Sequence, residues 1–449
     1  MTLRQGALRG LIDLDHGLIN REVFVNDDIY KLEQEQIFAR AWLFVGHESQ
    51  VRKPGDFFVS RMGEESVILV RSRNQQLHVF LNTCRHRGMK VCRYDEGNTI
   101  LFTCPFHGWS YDTEGKLVGV PHFKEAYHEA LDKSQWGLVE VAQLANYKGS
   151  IWATWDPKAP SFLDWLGDYE PILAPLFDGD DGREGGTEVL GVHKWRMPTN
   201  WKFPATSFGG DAAHAISHKS THVADYGPQG EGDRHGAKSS WPTERVELSI
   251  PGLGHGAHVT IHQPEEPYTP TWQTASPVVE EYFRAAYQEC QRRRKGEKRL
   301  EAGSATVWPN ASFSGGVRRT IVVWNPDGTQ MTEAWRFYLV DAKTPPEGKD
   351  ALRRYHMRYG GPVGMTEQDD MENWNYASAA SVGTIARRYP YNYQMGIGHV
   401  RTDGSVAGQV SQGRSEQGQR ARFARWLEFM EASSWDDVYP KNAKPVRSR

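Results

Sequence analysis

The sequence predicts an α+β fold in two domains, a small antiparallel β domain and a larger α+β domain. The 449-residue chain is 39% hydrophobic and 12% aromatic, which is enough to bury more than one core. Short runs that mix β-branched, aromatic and alternating polar residues are concentrated between residues 38 and 156. Beyond residue 157, strand-like runs alternate with longer helical ones. We therefore place the small domain at residues 38–156 and the larger domain at 157–449, and we expect residues 1–37 to pack on the larger domain or on a neighbouring chain.

The individual elements follow from these patterns in chain order. In the small domain, the alternation predicts strands at residues 56–62, 66–71, 77–81, 99–103 and 150–155. In the larger domain, it predicts the strands of one sheet at residues 246–250, 258–262, 305–308, 320–324 and 333–340. Helical patterns predict helices at residues 277–298, 367–385 and 415–432.

Composition excludes several classes of partner. The formal charge of −3 gives no general attraction to nucleic acid or to anionic membranes. The chain has no apolar run of 18 residues, and residues 1–20 lack the apolar core of a signal peptide, so we expect a soluble, cytoplasmic protein. Four cysteines are too few for a disulfide framework in a chain of this length.

Two mixed pairs of cysteine and histidine lie in the predicted small domain. Both pairs sit in turn-like sequence that closes with glycine, as loops at hairpin tips do. Two thiolates and two imidazoles are the ligands of a Rieske [2Fe–2S] cluster, in which the cysteines hold one iron and the histidines the other. A structural zinc site is the alternative, although zinc fingers usually separate their cysteines from their histidines. The four candidate ligands are Cys84, His86, Cys104 and His107.

A second candidate metal site lies in the larger domain. His214 and His218 are four residues apart, which would place both imidazoles on one face of a helix. A carboxylate would complete the 2-His-1-carboxylate set that holds Fe(II) and leaves positions open for O₂ and substrate. His222 is an alternative second ligand, and the carboxylate could come from residue 225 or from the pair at residues 369 and 370. Acidic residues at a helix start also favour the helix dipole without binding a metal.

The chain resembles the large (α) subunits of ring-hydroxylating oxygenases at both sites. In the small domain, the likeness rests on the two Cys/His motifs, on residues 44–47 and on residues 55–57. In the larger domain, it rests on the segment Asn200-Trp201-Lys202 with the histidines that follow, and on residues 367–374. The resemblance implies a helix-grip-like catalytic domain, and an iron held by His214, His218 and Asp370. It also implies that Asp211 bridges an iron-binding histidine to a cluster-binding histidine of a neighbouring subunit.

Three departures from the family pattern occur near the second site. Thr206-Ser207 stands where relatives usually have Glu-Asn, and Ala213 stands where they have tyrosine. The two histidines of this chain are separated by one residue fewer than in many relatives. We expect an apolar substrate pocket with a few polar groups, lined by residues that flank the ligands. The candidates are Phe203, Ser207, Phe208, Met365 and Thr366, for which ordinary core packing is the competing interpretation.

Two further segments near the pocket invite a functional interpretation. Arg318-Arg319 could bind a substrate carboxylate, or one of the two could face solvent or a subunit boundary. Residues 227–240, rich in glycine and charge, are expected to form a mobile loop and a candidate lid.

The resemblance implies the terminal oxygenase of a multicomponent Rieske system, which converts an aromatic ring and O₂ into a cis-dihydrodiol. The sequence has no G-x-G-x-x-G fingerprint between a strand and a helix, so electrons should come from a separate NADH-dependent reductase, usually through a ferredoxin. The family assembles as α₃ trimers or as α₃β₃ with a small β subunit. A Rieske monooxygenase or demethylase is one alternative function, and an electron-transfer Rieske protein without the second iron is another.

Overall fold

The computed structural model describes residues 8–219, 244–268, 276–316, 319–402, 406–412 and 414–439. The described residues fall into two units. The small unit is Phe38–Ala159, and the large unit joins Met1–Ile37 to Pro160–Arg449. All four cysteines are free thiols. Within the described ranges, no helix combines the length and the apolar character needed to cross a membrane.

The small unit consists of three antiparallel sheets. The predicted strands Asp56–Met62 and Leu77–Leu81 have the expected ends, and the other three predicted strands differ by one or two residues. The sequence analysis missed five strands, of which three have only three residues and therefore show little alternation. In spatial order, the sheets are Leu77–Leu81, Glu65–Arg71, Asp56–Met62 and Glu96–Asn98; Gln143–Tyr147, Ser150–Thr154 and Leu43–His47; and Leu117–Gly119, Ser110–Asp112 and Leu101–Thr103.

The core of the small unit extends to the cysteines of the two motifs. Phe57, Ile68 and Val70 come from adjacent strands and are almost completely buried. Cys84 and Cys104 belong to the same apolar cluster and are each only 2% exposed. The sheets therefore support the bases of the two motif loops.

An eight-stranded antiparallel sheet forms the large unit's centre. All five predicted strands are present, most of them longer than expected. The sequence analysis missed Thr187–Met197 because most of its residues are partly buried and several are charged, so it lacks a clean alternation. The sheet order is Thr187–Met197, Thr332–Asp341, Thr320–Pro326, Ala311–Ser314, Arg299–Val307, Gly256–His262, Glu244–Ser249 and Gln409–Gln412.

Ten α-helices lie in the described part of the large unit. The three predicted helices are present, but the one predicted at 277–298 ends at Arg294, because Lys295 and Gly296 adopt left-handed conformations. The last long helix, Gln417–Glu431, packs on two strands of the sheet and buries Trp426 and Phe429. The helices are Glu22–Val25, Asp27–Glu33, Phe162–Leu166, Glu170–Phe177, Lys202–Ser207, Pro277–Arg294, Pro346–Tyr359, Met365–Ser381, Gln417–Glu431 and Trp435–Val438. A small sheet of Ile12–Asp13, Leu18–Ile19 and Tyr391–Asn392 completes the unit.

A buried carboxylate joins the N-terminal segment to the rest of the large unit. Glu33 is fully buried and accepts hydrogen bonds from Lys202 Nζ at 2.6 Å and from Trp426 Nε1 at 2.7 Å. Its other oxygen accepts one from Trp201 Nε1 at 2.9 Å. Asn200 also donates from its side chain to the carbonyl of Phe24 at 3.0 Å. The Asn-Trp-Lys segment therefore anchors the chain just before the residues of the second site. Removing either Glu33 or Lys202 would leave the other charge buried without its partner and would strongly destabilise the fold.

Candidate metal centres and cavity

The two motifs of the small unit form matching loops, which we call the cluster loops (residues 84–88 and 104–108). In each loop, the cysteine N–H donates to a carbonyl five residues later, and the glycine N–H donates back to the cysteine carbonyl. Gly88 and Gly108 have φ angles of +74° and +75°, the left-handed region that glycine adopts at little cost. The glycines that suggested hairpin tips are therefore required by the turns. The cysteine N–H bonds, Cys84 N to Met89 O and Cys104 N to Trp109 O, are each 2.8 Å long. The glycine N–H bonds, Gly88 N to Cys84 O and Gly108 N to Cys104 O, are each 2.9 Å long.

The structure brings the predicted ligands of the small unit together in two pairs, the two histidines and the two cysteines, whose thiols lie within hydrogen-bonding reach of each other. The rings of His86 and His107 have centroids 4.6 Å apart at an angle of 75°, and His86 stacks on Trp109 at 4.9 Å. Desolvation, followed by the charges of His107 and Arg87, lowers the pKa of His86, so its imidazole is neutral at pH 7. Its Nδ1 is buried and has no hydrogen-bond partner among the described residues. A neutral imidazole with a spare buried nitrogen can bind a metal, as can the two buried thiols of the same loops.

The sequence analysis gave no role to Tyr111, which contacts a cluster cysteine. Its hydroxyl lies 3.3 Å from Cys84 Sγ and accepts a hydrogen bond from the backbone N–H of Arg85 at 3.1 Å. Burial, followed by the contact with Cys84, raises the pKa of the Tyr111 phenol, so the hydroxyl stays protonated at neutral pH. The sequence signal that could have indicated this contact was a tyrosine at a buried position of the strand that follows the second cluster loop.

The second site joins a short turn to a long helix, named here the histidine turn (Ala212–His218) and the carboxylate helix (Met365–Ser381). His214 Nε2 lies 3.5 Å from Asp370 Oδ1, and His218 Nε2 lies 3.4 Å from the same oxygen. One candidate ligand atom from each of these three residues lies within 4.8 Å of the others. The histidine turn is a 3₁₀-helix, not the α-helix that the spacing predicted, yet the two imidazoles still meet, with ring centroids 5.2 Å apart.

The second nitrogen of each imidazole is engaged on the far side from Asp370. His214 Nδ1 hydrogen-bonds the backbone carbonyl of Asp211, and His218 Nδ1 lies 3.3 Å from Asp369 Oδ2. A proton on each Nδ1 leaves the Nε2 lone pair facing Asp370, which is the arrangement that orients metal-binding histidines. Asp369, considered above as a possible ligand, therefore lies behind His218. His222 and residue 225 are outside the described residues.

The electrostatics at Asp370 favour a bound cation. Burial, followed by the charge of Glu367, raises the pKa of Asp370 well above its usual value, while Arg336 opposes the shift. Asp369 and Asp211 add to the negative potential. A divalent ion between the imidazoles and Asp370 would relieve this repulsion and keep the carboxylate ionised.

Asp211 lies at the partly exposed edge of the same site. Its Oδ2 is 3.8 Å from His214 Nδ1, and its side chain is 28% exposed. Ser207 Oγ lies 3.5 Å from the same carboxylate and accepts a hydrogen bond from Trp374 Nε1 at 3.2 Å. The serine that replaces the family's usual asparagine therefore connects Asp211 to the carboxylate helix.

A cavity of about 320 Å³ opens beside the two histidines and Asp370, and we call it the ligand cavity. Three of the predicted pocket residues line it, namely Ser207, Phe208 and Thr366. Phe203 is not among its described lining residues, because its ring stacks on Phe24 with centroids 4.5 Å apart. Met365, at the start of the carboxylate helix, does not line it in the described ranges either.

The wall of the ligand cavity combines aromatic and polar side chains. Its aromatic lining includes Phe208, Tyr355, Tyr359 and Trp374, and its polar lining includes Arg336, Tyr338, Thr366 and Glu367. The sequence analysis missed Arg336, although an arginine inside the apolar strand Thr332–Asp341 was a signal that its side chain has a special environment. The other candidate arginine, Arg319, is buried and pairs with Asp180 at 2.6 Å. Arg318 and residues 227–240 lie outside the described residues.

A second, larger cavity adjoins the ligand cavity. Its volume is about 530 Å³, and Arg319 is part of its wall. The two cavities share Glu301, Ala302 and Gly315 in their linings. Arg319 is therefore separated from the two histidines, and within the described residues it is not part of the ligand cavity.

Comparisons with known proteins agree with both modules. Residues 41–147 match the family model for the Rieske [2Fe-2S] domain, and residues 187–432 match the model for the ring hydroxylating alpha subunit, catalytic domain. Biphenyl dioxygenase subunit alpha from Metapseudomonas furukawaii is 36% identical, over 97% of this chain and 95% of the relative. Benzene 1,2-dioxygenase subunit alpha from Pseudomonas putida is 37% identical, over 96% of this chain and 95% of the relative.

Among solved structures, naphthalene 1,2-dioxygenase from Rhodococcus sp. bound to indole has a similar fold. The TM-score is 0.81 at 30% sequence identity, and the match covers 96% of this chain and 100% of the other. The predicted fold class, a small β domain with a larger α+β catalytic domain, is confirmed.

Proposed function

Because the chain belongs to the family of ring-hydroxylating dioxygenase alpha subunits, we propose specific residues for the two metal groups that this family carries. The small unit's ligands to the [2Fe–2S] cluster are Cys84, His86, Cys104 and His107. The ligands to the mononuclear iron are His214, His218 and Asp370. The observation that carries the second assignment is the approach of both Nε2 atoms to Asp370 Oδ1, at 3.5 and 3.4 Å. Two histidines and one carboxylate match the ligand set of non-haem Fe(II) oxygenases.

The enzyme is an aromatic-ring dioxygenase, the oxygenase component of a multicomponent system. When bound, the cluster supplies electrons and the iron activates O₂. The overall reaction balances as aromatic ring, O₂, NADH and one proton giving a cis-dihydrodiol and NAD⁺. Two adjacent ring carbons each gain a hydroxyl group, and NADH supplies the two electrons.

The chain's own residues position the reactants. Asp369 and the carbonyl of Asp211 hold the imidazoles of His218 and His214, so that both Nε2 atoms face Asp370. Phe208 and Trp374 offer aromatic faces in the ligand cavity, against which a planar ring can stack. Holding a ring beside the iron ligands reduces the entropy cost of bringing it into reaction geometry.

We assign Asp211 to the electron route into the iron site. Its carboxylate is next to His214 yet partly exposed, so a histidine of a neighbouring subunit could hydrogen-bond it. This role requires at least two copies of the chain, in an α₃ trimer or an α₃β₃ complex with a small β subunit. The electron donors are a ferredoxin and an NADH-dependent reductase.

Turnover under ¹⁸O₂ tests this function. The metal-loaded protein is supplied with NADH, a surrogate reductase and ferredoxin, and a set of aromatic rings, and the products are analysed by mass spectrometry. Two labelled oxygens in one diol are the expected result. A product with one labelled oxygen would indicate a monooxygenase, and an iron content of only about two per chain, not restored by Fe(II), would leave an electron-transfer protein.

A further inference from the structure

The wall of the ligand cavity contains a buried ion pair that the reaction does not need. Arg336 Nη1 lies 2.7 Å from Glu367 Oε2, and Nη2 donates to Oε1 at 3.0 Å. Arg336 is 6% exposed and Glu367 is 3% exposed. The two-pronged contact uses one edge of the guanidinium and neutralises its charge. Burying such a pair is costly, so its place in a substrate cavity calls for a reason.

Two polar atoms in this wall have hydrogen-bonding capacity left over. Arg336 Nε and Thr366 Oγ1 are buried and have no hydrogen-bond partner among the described residues. Both residues line the ligand cavity, and both are more than nine-tenths buried. The Nε–H can only donate a hydrogen bond, whereas the threonine hydroxyl can donate or accept one. Buried polar groups are rarely left unpaired, and a ligand is one way to satisfy them.

The charges around these atoms disfavour an anionic partner. The Arg336 charge is already matched by the Glu367 carboxylate, which the two Nη atoms contact at 2.7 and 3.0 Å. A substrate carboxylate at Arg336 Nε would place a second negative charge beside a guanidinium that Glu367 already neutralises. An uncharged oxygen would use the spare donor without this cost.

We infer that the substrate is a small aromatic ring with an uncharged oxygen substituent, such as a hydroxyl, which accepts a hydrogen bond from Arg336 Nε and donates one to Thr366 Oγ1. The inference rests on the proposed function and specifies its substrate class. The cavity volume, about 320 Å³, is at the small end of the range for ligand sites, which suits one or two rings. The relatives compared above are named for benzene and biphenyl, which lack such an oxygen.

Two matched sets of ligands test the inference: benzene, phenol and benzoate, and naphthalene, 1-naphthol and 1-naphthoate. Binding to the metal-loaded protein is measured without O₂ by equilibrium dialysis, and kcat/KM is measured with the electron donors. The hydroxylated ring should bind about tenfold more tightly than the hydrocarbon of the same set. A hydrocarbon that binds as tightly would overturn the inference, and tightest binding by the acid would overturn the choice of an uncharged oxygen.

Two substitutions locate the effect. Thr366→Val removes the hydroxyl at constant volume, and Arg336→Lys keeps a positive charge for Glu367 but loses the Nε–H. Each should abolish most of the roughly tenfold preference for the hydroxylated ring over the hydrocarbon. Thr320→Val is the matched control, because Thr320 also lines the ligand cavity and is buried, but contributes neither atom. A preference that survives both substitutions, or that Thr320→Val abolishes equally, would contradict the assignment.

The outcomes also separate this inference from the proposed function. If hydrocarbons yield diols and hydroxylated rings show no advantage, the dioxygenase function stands and the substrate class is wrong. If no ring in either set yields product although both metal groups are loaded and reduced, the function fails and the inference falls with it. Unchanged visible spectra and thermal unfolding in the variants show that the fold is intact.

Discussion

The two metal sites of this chain are constructed in different ways. The cluster loops lie within residues 84–108, and their shape comes from backbone hydrogen bonds and two left-handed glycines. The proposed iron ligands span residues 214–370. A backbone carbonyl three residues away orients His214, whereas the side chain of Asp369, from a distant helix, orients His218. A site built from local turns forms once two hairpins form, whereas the iron site requires the folded large unit. We therefore expect the first site to tolerate changes around it, whereas the second depends on several buried polar contacts.

The largest expected effect falls on the iron site. Asp370→Ala removes the oxygen that both Nε2 atoms approach, and a two-histidine remnant should not retain Fe(II). We expect iron to fall from about three to about two per chain, with product below detection and an unchanged cluster spectrum. Metal analysis, visible absorption and product assays measure this.

Asp369→Asn is the matched control for Asp370→Ala. It alters the group that contacts His218 but not a proposed ligand, so iron affinity should fall by roughly 10- to 100-fold. Excess Fe(II) should then restore the iron content. Full iron retention and normal turnover in Asp370→Ala would show that the carboxylate ligand is elsewhere.

The second prediction concerns the link between the two sites. Asp211→Asn preserves the shape of the side chain but removes its charge, and the backbone carbonyl that holds His214 remains. Both metal groups should stay, while turnover falls by roughly 100-fold because electrons no longer reach the iron efficiently. Metal content, dithionite reduction of the cluster and NADH-driven turnover are compared with the exposed control Asp168→Asn. Normal turnover in Asp211→Asn would refute its place in the electron route.

The same contrast explains how much the sequence could predict. The four proposed cluster ligands and their glycine turns are local patterns; the structure forms both turns and brings His86 and His107 together. His214, His218 and Asp370 also come together, but the choice of Asp370 depended on the family resemblance, since spacing along the chain could not separate it from Asp369. The partner of His218 Nδ1, Asp369, comes from the distant carboxylate helix and could not be predicted from the sequence, whereas the partner of His214 Nδ1 is a carbonyl three residues away.

The cavity was the least predictable part of the site. Phe203 is four residues from Ser207 and seemed equally suited to the pocket, but its ring faces Phe24 and Tyr391 in the core. Arg336 belongs to a strand far from either motif, and its role depends on Glu367 from the carboxylate helix. Tertiary packing decides which face of a helix or strand lines a cavity. Proximity in sequence to a metal ligand therefore does not predict which side chains line it.

The smallest predicted effect concerns the cluster loops and tests whether this locally built site tolerates change. Tyr111 O–H lies 3.3 Å from Cys84 Sγ, and with Cys84 bound as a thiolate the phenol must be the donor. This hydrogen bond stabilises the more negative, reduced cluster more than the oxidised one, so Tyr111→Phe should lower the reduction potential by on the order of 50 mV, the equivalent of about 1 kcal/mol for one electron. The cluster should still assemble, since no ligand and no loop hydrogen bond is lost. A redox titration followed by visible absorption measures the shift, and Tyr94→Phe, 70% exposed, serves as the control. An unchanged potential would mean that the contact does not tune the cluster, whereas loss of the cluster would mean that the loops depend on side chains as much as the iron site does.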